Sequence, residues 1–307
     1  MHIHSNGLNF EVEVTRPPSS GPGVPPAPTV LLTMGLGMQL VAWPDAFVQG
    51  LAQAGYCVVR YDNRDMGLSS HMDALGRPNM PWQFMRFKMG FGIQAPYTLQ
   101  DMAQDALGIL DALDVAQAHL VGVSMGGMIS QRIAATAPER ALSLTSIMSS
   151  SGAPGLPGPG PEVGRFLMKG PDSSQPQDVA SHTLALFELI GSPAFQPERE
   201  HLLQRLLADA QRSYNPQGTL RQTLAVMADT DRHILLGQIT CPTLVMHGTV
   251  DPMVPLVCGE DTARRIAGAR FEAIDGMGHD WPPALIPRWL ALLLPHLKAA
   301  DTAVQRG

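Results

Sequence analysis

The stretch HLVGVSMGGM, residues 119–128, decides the fold. Its first half is a short apolar run typical of a strand buried in a parallel sheet, and a helix-like stretch follows at residues 125–136. Between them, residues 122–126 fit the pattern Gly-x-Ser-x-Gly, with Ser124 at its centre. The flanking glycines let a tight turn close without Cβ clashes. The pattern therefore predicts a strand, a sharp turn that exposes the hydroxyl of Ser124, and a helix.

Working outward, the chain alternates between strand-like and helix-like segments. Thr98 to Leu113 has apolar residues at helical spacing, and Thr98 with Asp101 forms a capping-box pattern. A last helix is expected from about Pro283 to Leu297. This alternation predicts an α/β fold with a doubly wound, mostly parallel sheet. The other strand-like runs lie at residues 8–14, 29–34, 56–62, 142–148, 243–246 and 270–274.

The alternation breaks in the middle of the chain. Ser149 to Pro161 is dense in Ser, Gly and Pro, as a linker is, and residues 162–237 contain helical stretches but no convincing strand. We therefore predict a core of residues 1–149 and 238–307, interrupted by a helical lid (cap) insertion at residues 150–237.

Composition narrows the function classes. The 307 residues are 45% hydrophobic and only 16% charged, with a net charge of −6, which favours a large folded core and argues against a nucleic-acid partner. The three cysteines suggest neither a disulfide framework nor a metal pattern. No apolar run is long enough to span a membrane and no signal peptide is evident, so a cytoplasmic enzyme without integral membrane association is expected. The sequence does not indicate an oligomeric state.

A serine hydroxyl needs a base to become a good nucleophile. Among ten histidines, His279 is in the right place, in a Gly-rich loop after the last strand, whereas His247 at a strand end is interpreted as structural. An acid that orients the histidine should come between serine and histidine in the chain. Asp251, which closes the strand at residues 243–246, is the first candidate. Asp275 and Asp280 are alternatives, both better interpreted as turn formers.

The serine motif with Asp251 and His279 resembles the α/β-hydrolase superfamily over essentially the whole chain. The usual His-Gly after the third strand is here Met34-Gly35, and Asp65 stands where the superfamily's Asp-x-Arg-Gly motif has glycine. These departures are similar to those of the aclacinomycin methylesterase-like hydrolases, as are the segments at residues 43–45 and 144–148.

The resemblance implies a serine carboxylesterase. Ser124 would attack an ester carbonyl, His279 would take its proton and Asp251 would hold the imidazole. The backbone N–H groups of Leu36 and Met125 would form the oxyanion hole. No cofactor and no metal are required.

Asp62, Arg64 and Asp65 are charged residues that follow a central strand. We interpret them as a turn whose buried charges pair with each other and cap nearby helices, in preference to a direct catalytic role.

An apolar pocket is predicted from the distribution of the 17 methionines, several of which lie near the candidate catalytic residues. Met is flexible and can fit irregular apolar ligands. Met38 and Met253 are therefore candidate substrate-binding residues. Phe84 and Phe87, in the apolar segment at residues 80–91, are expected either to pack under the insertion or to line the pocket, with a lipid-facing lip as a further reading. The predicted substrate is a small, hydrophobic, uncharged ester.

Other functions stay open at this stage. The same scaffold supports Ser-dependent perhydrolase or haloperoxidase chemistry, C–C bond hydrolysis and aminopeptidase activity. A non-catalytic binding protein of this fold is a further alternative, although such proteins typically lose a member of the triad and all three candidates are present here.

Overall fold

The computed structural model describes residues 1–18 and 26–304. In these residues eight strands form one sheet in the order β1-β2-β4-β3-β5-β6-β7-β8. β1 and β2 pair in antiparallel fashion, β2 is also antiparallel to β4, and all remaining neighbours are parallel. The predicted doubly wound, mostly parallel sheet is confirmed. The strands are β1 His2–Ser5, β2 Leu8–Thr15, β3 Thr29–Thr33, β4 Cys57–Tyr61, β5 Ala118–Val123, β6 Ala141–Ile147, β7 Thr243–Gly248 and β8 Arg270–Ile274.

Helices follow most of the strands and cover both faces of the sheet. α3 begins with the predicted capping box, in which Thr98 Oγ1 accepts from the N–H of Asp101 and the Asp101 carboxylate accepts from the N–H of Thr98. α4 begins directly after Ser124, as the serine motif predicts. The helices are α1 Asp45–Gln53, α2 Met80–Lys88, α3 Leu99–Ala112, α4 Met125–Thr136, α5 Pro161–Leu167, α6 Pro176–Ile190, α7 Arg199–Arg212, α8 Pro216–Ala228, α9 Arg232–Leu235, α10 Leu256–Arg265 and α11 Ile286–Val304.

The central strands are buried on both faces. Every residue of β3 and β5 is buried, which explains why their sequences are apolar runs without alternation. One apolar cluster lies between the sheet and helices α3 and α4. A second lies between the opposite face and helices α1 and α11. Met34, which stands where the resembled superfamily has histidine, is fully buried in this second cluster.

The sequence analysis did not predict β1. It pairs with β2 through a tight hairpin, in which Asn6 and Gly7 have φ of 50° and 73°. Asn-Gly is a strong signal for a hairpin turn with two left-handed residues, so the signal was present. The strand was missed because it has only four residues.

The chain between β6 and β7 contains helices α5 to α9 and no strand; all its residues are described. Helices α6 and α7 pack on each other around a small apolar cluster of their own: Ala180, Leu184, Phe187, Leu202 and Leu206. We call the segment between β6 and β7 the helical insertion.

The three charged residues after β4 do not pair with each other, so that prediction was wrong. Arg64 forms an ion pair with Asp105 of α3, at 2.6 Å between Nε and Oδ2. Asp62 accepts from Arg212 at 2.7 Å, and Asp65 accepts from Arg221 at 2.6 Å. Both arginines belong to the helical insertion. Each charge therefore joins the turn to a different helix: Arg64 to α3, Asp62 to α7 and Asp65 to α8.

Asp65 has φ of 70°, a left-handed conformation that aspartate tolerates better than most residues other than glycine. Its carboxylate is buried and accepts from Arg221, from the Tyr97 hydroxyl at 2.8 Å and from the N–H of Met72 at 2.7 Å. Burial opposes ionisation of Asp65, but these hydrogen bonds outweigh it and hold its pKa below the ordinary value. Asp65 is thus an ionised anchor between the core and α8.

We expect Asp65→Ala to lower the free energy of unfolding by about 3–5 kcal/mol, because it leaves the buried guanidinium of Arg221 without its carboxylate. Urea denaturation followed by circular dichroism measures the change. Asp45→Ala is the matched control, since Asp45 is exposed and its pair with Arg60 spans 3.2 Å; the loss there should not exceed about 1 kcal/mol. Equal losses in the two variants would contradict the anchoring role of Asp65.

Candidate active site

Ser124 lies on the sharp turn between β5 and α4. Its φ of 53° is unusual for a residue with a side chain, and such strain at one residue is typical of functional turns. A Cβ on Gly122 would clash with the carbonyl of Gly126, and a Cβ on Gly126 would clash with the carbonyl of Thr33. Only glycine therefore fits on either side of Ser124.

The structure brings Ser124, His279 and Asp251 together. Ser124 Oγ lies 3.1 Å from His279 Nε2, and His279 Nδ1 lies 2.7 Å from Asp251 Oδ2. A carboxylate can only accept, so Nδ1 carries the proton and Nε2 is left to accept from the hydroxyl. Ser124 is partly exposed, whereas Asp251 and His279 are buried. The three side chains can pass a proton from serine to histidine.

Asp251 is held by its own turn. Its second oxygen, Oδ1, accepts from the N–H groups of Met253 at 2.9 Å and Val254 at 2.8 Å. His247 Nε2 donates to the carbonyl of Val254 at 2.7 Å, and burial lowers the pKa of His247. His247 is therefore a neutral, buried support of the Asp251 turn, in line with its structural interpretation.

Asp275 and Asp280, the alternative acids, accept hydrogen bonds from side chains other than His279. Asp275 accepts from the Thr249 hydroxyl at 3.2 Å. Asp280 accepts from the Ser192 hydroxyl, and burial raises the pKa of Asp280. Neither carboxylate takes the hydrogen bond from the His279 ring that Asp251 takes.

The loop that carries His279 is tied to the end of α6. The N–H of His279 donates to the carbonyl of Ile190 at 2.7 Å, and the N–H of Gly278 donates to Ser192 Oγ at 2.9 Å. A Cβ on Gly278 would clash with the carbonyls of Ile190 and Gly191. The position of the imidazole thus depends on the helical insertion as well as on the sheet.

Leu36 and Met125 lie on two backbone segments that meet at Ser124. A Cβ on Gly35 would come within 3.3 Å of Ser124 Cβ, so the turn after β3 passes close beside the serine. Met125 is the first residue of α4, where backbone N–H groups have no partner within the helix. Within the described residues, neither the N–H of Leu36 nor that of Met125 donates to another group.

Helix α8 holds the turn after β3. Gln222 is fully buried; its Oε1 accepts from the N–H of Gly37 at 3.0 Å, and its Nε2 donates to the carbonyl of Arg64 at 2.9 Å. Gly37 has φ of 72°, and a Cβ there would lie 3.3 Å from Thr219 of the same helix. Gln222 therefore couples the turn that contains Leu36 to the turn after β4.

Gln39 adds a second tie between the same turn and the insertion. Its Nε2 donates to the carbonyls of Asp209 at 2.7 Å and Ser213 at 3.0 Å, at the end of α7. Arg212 donates both to Gln39 Oε1 and to Asp62 Oδ2. The sequence analysis did not identify Gln39, Arg212, Gln222 or Ser192, because each acts on residues far away in the chain.

The predicted substrate-binding residues fall into two groups. Met38 is partly buried and packs against the core and against the α6–α7 cluster, while Met253 is partly buried beside Asp251. Phe84 and Phe87 are 52% and 57% exposed on α2, a helix without buried residues. The geometry does not support the expectation that α2 packs under the insertion or lines an enclosed pocket, because none of the residues of α2 is buried.

Two cavities lie next to Asp280, the residue after His279. The larger has a volume of about 440 Å³ and the smaller about 190 Å³. Both are lined by Phe187, Pro197 and Leu202 of the insertion. Val250 and Pro252, on either side of Asp251, line the larger cavity. It thus lies between the insertion and the Asp251 turn, with a volume within the usual range of ligand pockets.

Residues 1–18 and 26–304 lack two features that would bear on function. No group of three or more His, Cys, Asp or Glu side chains is placed to hold a metal ion there. No helix there has both the length and the apolar character required to cross a bilayer.

With this geometry established, comparison with known proteins assigns the class. Residues 28–281 match the alpha/beta hydrolase fold family, and the chain belongs to that family. The chain is 30% identical over 300 residues to rhodomycin D methylesterase of Streptomyces sp. (strain C5), covering 92% of this chain and 95% of that enzyme. The resemblance to the methylesterase-like hydrolases is thereby confirmed, and it supports hydrolase activity of the esterase type.

Solved structures share the fold at lower identity. The enol-lactonase from Burkholderia xenovorans LB400 superposes with a TM-score of 0.72 at 22% identity, covering 97% of this chain and all of that one. The meta-cleavage product hydrolase from Pseudomonas fluorescens IP01 has a TM-score of 0.74 at 17% identity, with 98% of each chain covered. These similarities concern the fold.

Proposed function

We propose that this protein is a serine carboxylesterase that hydrolyses hydrophobic, uncharged esters. The observation that carries the proposal is the hydrogen-bonded chain from Ser124 through His279 to Asp251, at 3.1 Å and 2.7 Å, on a turn that exposes the serine. The extended similarity to a methylesterase supports the choice of esters among the substrates that this fold can accept. The specificity that the name rhodomycin D methylesterase indicates is that of the relative.

The reaction proceeds through an acyl-enzyme. His279 Nε2 takes the proton of Ser124 as Oγ attacks the ester carbonyl, and the resulting imidazolium donates that proton to the leaving alcohol. Asp251 stabilises the imidazolium through Nδ1. Water, activated by His279 in the same way, then attacks the acyl-enzyme and releases the acid.

The negative charge on the tetrahedral intermediate needs donors that are already in place. The N–H groups of Leu36 and Met125 fill this role, because both lie beside Ser124 and neither donates elsewhere in the described chain. The positive end of the α4 dipole adds to their effect. Only backbone groups are required, so the buried Met34 in place of histidine is compatible with catalysis.

The helical insertion serves as the lid, comprising residues 150–237 over a core of residues 1–149 and 238–307. The scissile ester binds beside Ser124, and the cavity of about 440 Å³ between the lid and the Asp251 turn, which is not lined by Ser124 or His279, is proposed as an extension of that site. Leu184, Phe187 and Val250 provide apolar lining of this cavity. Met38 and Met253, on the loops that carry Leu36 and Asp251, stay proposed substrate-binding residues. Glu188 at the edge of the cavity is paired with Arg199 at 2.8 Å, so these two charges compensate each other.

Ser124→Ala removes the nucleophile, so we expect kcat for p-nitrophenyl esters to fall by about 10⁶, the scale known for a subtilisin nucleophile. Labelling by a fluorophosphonate probe should be lost as well. Ser130→Ala is the matched control, because this serine lies buried on the same helix with an unpartnered hydroxyl. Activity of Ser124→Ala within tenfold of the parent would refute the assignment of the nucleophile.

The ester preference follows from the lining of the proposed pocket. We expect kcat/KM for uncharged p-nitrophenyl esters of medium length to exceed that for an ester with a free carboxylate by at least about tenfold, since burying an unpaired charge is costly. The panel runs from acetate to palmitate and includes bulky methyl esters. Labelling by the probe together with hydrolysis of none of these esters would point to other serine chemistry on this fold.

Gln222 tests the proposed oxyanion hole without changing a reacting group. Gln222→Met has similar length but can neither accept from Gly37 nor donate to Arg64, so the turn that carries the N–H of Leu36 loses its support. We expect kcat to fall by about tenfold to a hundredfold with little change in KM, because the lost interaction acts mainly in the transition state. Initial rates over a range of ester concentrations separate the two constants.

The matched control is Gln217→Met, an exposed position on the same helix, which should leave kcat unaltered. A Gln222→Met enzyme that unfolds at the same temperature as the parent and keeps its full kcat would contradict the positioning role.

A further inference from the structure

A surface around α2 has no partner in the described chain and no use in the proposed reaction. Its members are apolar or basic, and all are exposed except the half-buried Arg86; we call them the α2 patch. They are Arg77, Trp82, Phe84, Met85, Arg86, Phe87, Lys88, Met89 and Phe91. We propose that the α2 patch docks the protein on an anionic lipid surface, with the apolar side chains entering the boundary between headgroups and acyl chains.

The residue types of the α2 patch favour a lipid surface. The six large apolar side chains of the patch are between 48% and 58% exposed, and large apolar side chains that are exposed together mark interaction sites on protein surfaces. Trp and Phe beside cations on one short helix are typical of segments that lie in the membrane interface. α2 itself has no buried residue.

The positive charge of the α2 patch favours an anionic surface. Residues 74–100 contain Arg77, Arg86 and Lys88 and no carboxylate, although the whole chain has a net charge of −6. The cations thus coincide with the apolar side chains on an otherwise acidic protein. Each cation near an anionic leaflet contributes about fivefold to binding, so the patch is complementary to such a surface in both charge and polarity.

The local structure keeps the apolar residues outward. Asn79 caps α2 by accepting from the N–H of Trp82 at 3.0 Å. Arg86, in the last turn of α2, donates to the carbonyl of Gly92 at 3.3 Å and stacks over the ring of Phe91, 5.8 Å from its centroid. The segment is therefore a formed helix with a closed turn, stabilised by its own contacts.

A second copy of the chain fits the α2 patch less well than a lipid surface does. In a symmetric dimer the same patch faces itself, which would bring Arg77, Arg86 and Lys88 of one copy against the same cations of the other. Apolar side chains also surround α2 instead of forming one flat face. A fluid lipid layer accommodates both features.

The test uses the full chain and two vesicle types, pure phosphatidylcholine and an equimolar mixture of phosphatidylcholine and phosphatidylglycerol. Trp82 is 48% exposed, whereas Trp43, Trp281 and Trp289 are buried, so a blue shift of tryptophan emission reports entry of the patch into lipid. We expect co-sedimentation and a blue shift with the mixed vesicles, weakening at high salt, and at least about tenfold weaker binding to pure phosphatidylcholine.

Two variants locate the binding surface. Lys88→Glu should weaken binding to the mixed vesicles by at least about tenfold, since it reverses one charge of the patch. Met85→Gln/Met89→Gln/Phe91→Gln, which keeps Trp82 as the reporter, should abolish the blue shift and the sedimentation. The control is Met168→Gln/Lys169→Glu, which changes an exposed apolar residue and a cation outside the patch and should bind as the parent does.

The outcomes are distinct. Binding that is absent, equal for the two lipids or equally strong in the patch variants overturns the proposal, as does self-association that depends on the patch without lipid binding. Circular dichroism and the unfolding temperature verify that each variant folds. The proposal does not rest on esterase activity: Ser124→Ala should bind vesicles normally, so failure of one idea leaves the other intact.

Discussion

The left-handed backbone of Ser124 is the constraint on which the site depends. A residue with a side chain keeps φ near 53° only if the surrounding structure forces it. Here β5 ends between β3 and β6, and α4 starts at once, so the chain must reverse direction within one residue. The close approaches at Gly122, Gly126 and Gly35 are the steric cost of that reversal. They also set two backbone segments beside the serine hydroxyl.

The helical insertion takes part in the construction of the site. It contacts the His279 loop through Ile190 and Ser192 and the turn after β3 through Gln222 and Arg212. Histidine and the candidate oxyanion donors thus depend on hydrogen bonds from the same segment. Changes in the insertion that alter a substrate pocket would therefore be expected to move catalytic groups as well.

Buried charge explains how the insertion is attached. Asp62 and Asp65, on the turn after β4, each bind an arginine of the insertion. A buried ion pair contributes little net stability, but breaking it is expensive because one charge is left unpaired. Such pairs determine the arrangement in which the helical insertion packs on the core more than they stabilise that arrangement. This explains why aspartate can stand at position 65, where the superfamily's motif has glycine. Asp65 tolerates the left-handed turn and supplies the carboxylate that binds Arg221.

Much of the fold could be predicted from local sequence patterns. The bounds of α4 and β8 agree with the sequence expectation, and α3 and the other strands agree within a few residues, because burial on one or both faces of an element appears directly in its periodicity. The order of serine, aspartate and histidine along the chain similarly indicated which three side chains to bring together. β1, with four residues, was too short for periodicity to reveal it.

The sequence by itself determined the α/β alternation, the strained serine turn and the candidate triad, since each rests on residue types at short spacing. The packing of distant elements, by contrast, determined that Asp62 and Asp65 bind arginines of the helical insertion rather than Arg64, that Gln222 and Ser192 hydrogen-bond to the loops of the site, and that Phe84 and Phe87 face outward. The hydrogen bonds and ion pairs among these residues join positions that are 86 to 185 residues apart in the chain. No local pattern encodes these contacts, because they are set by the packing of whole elements.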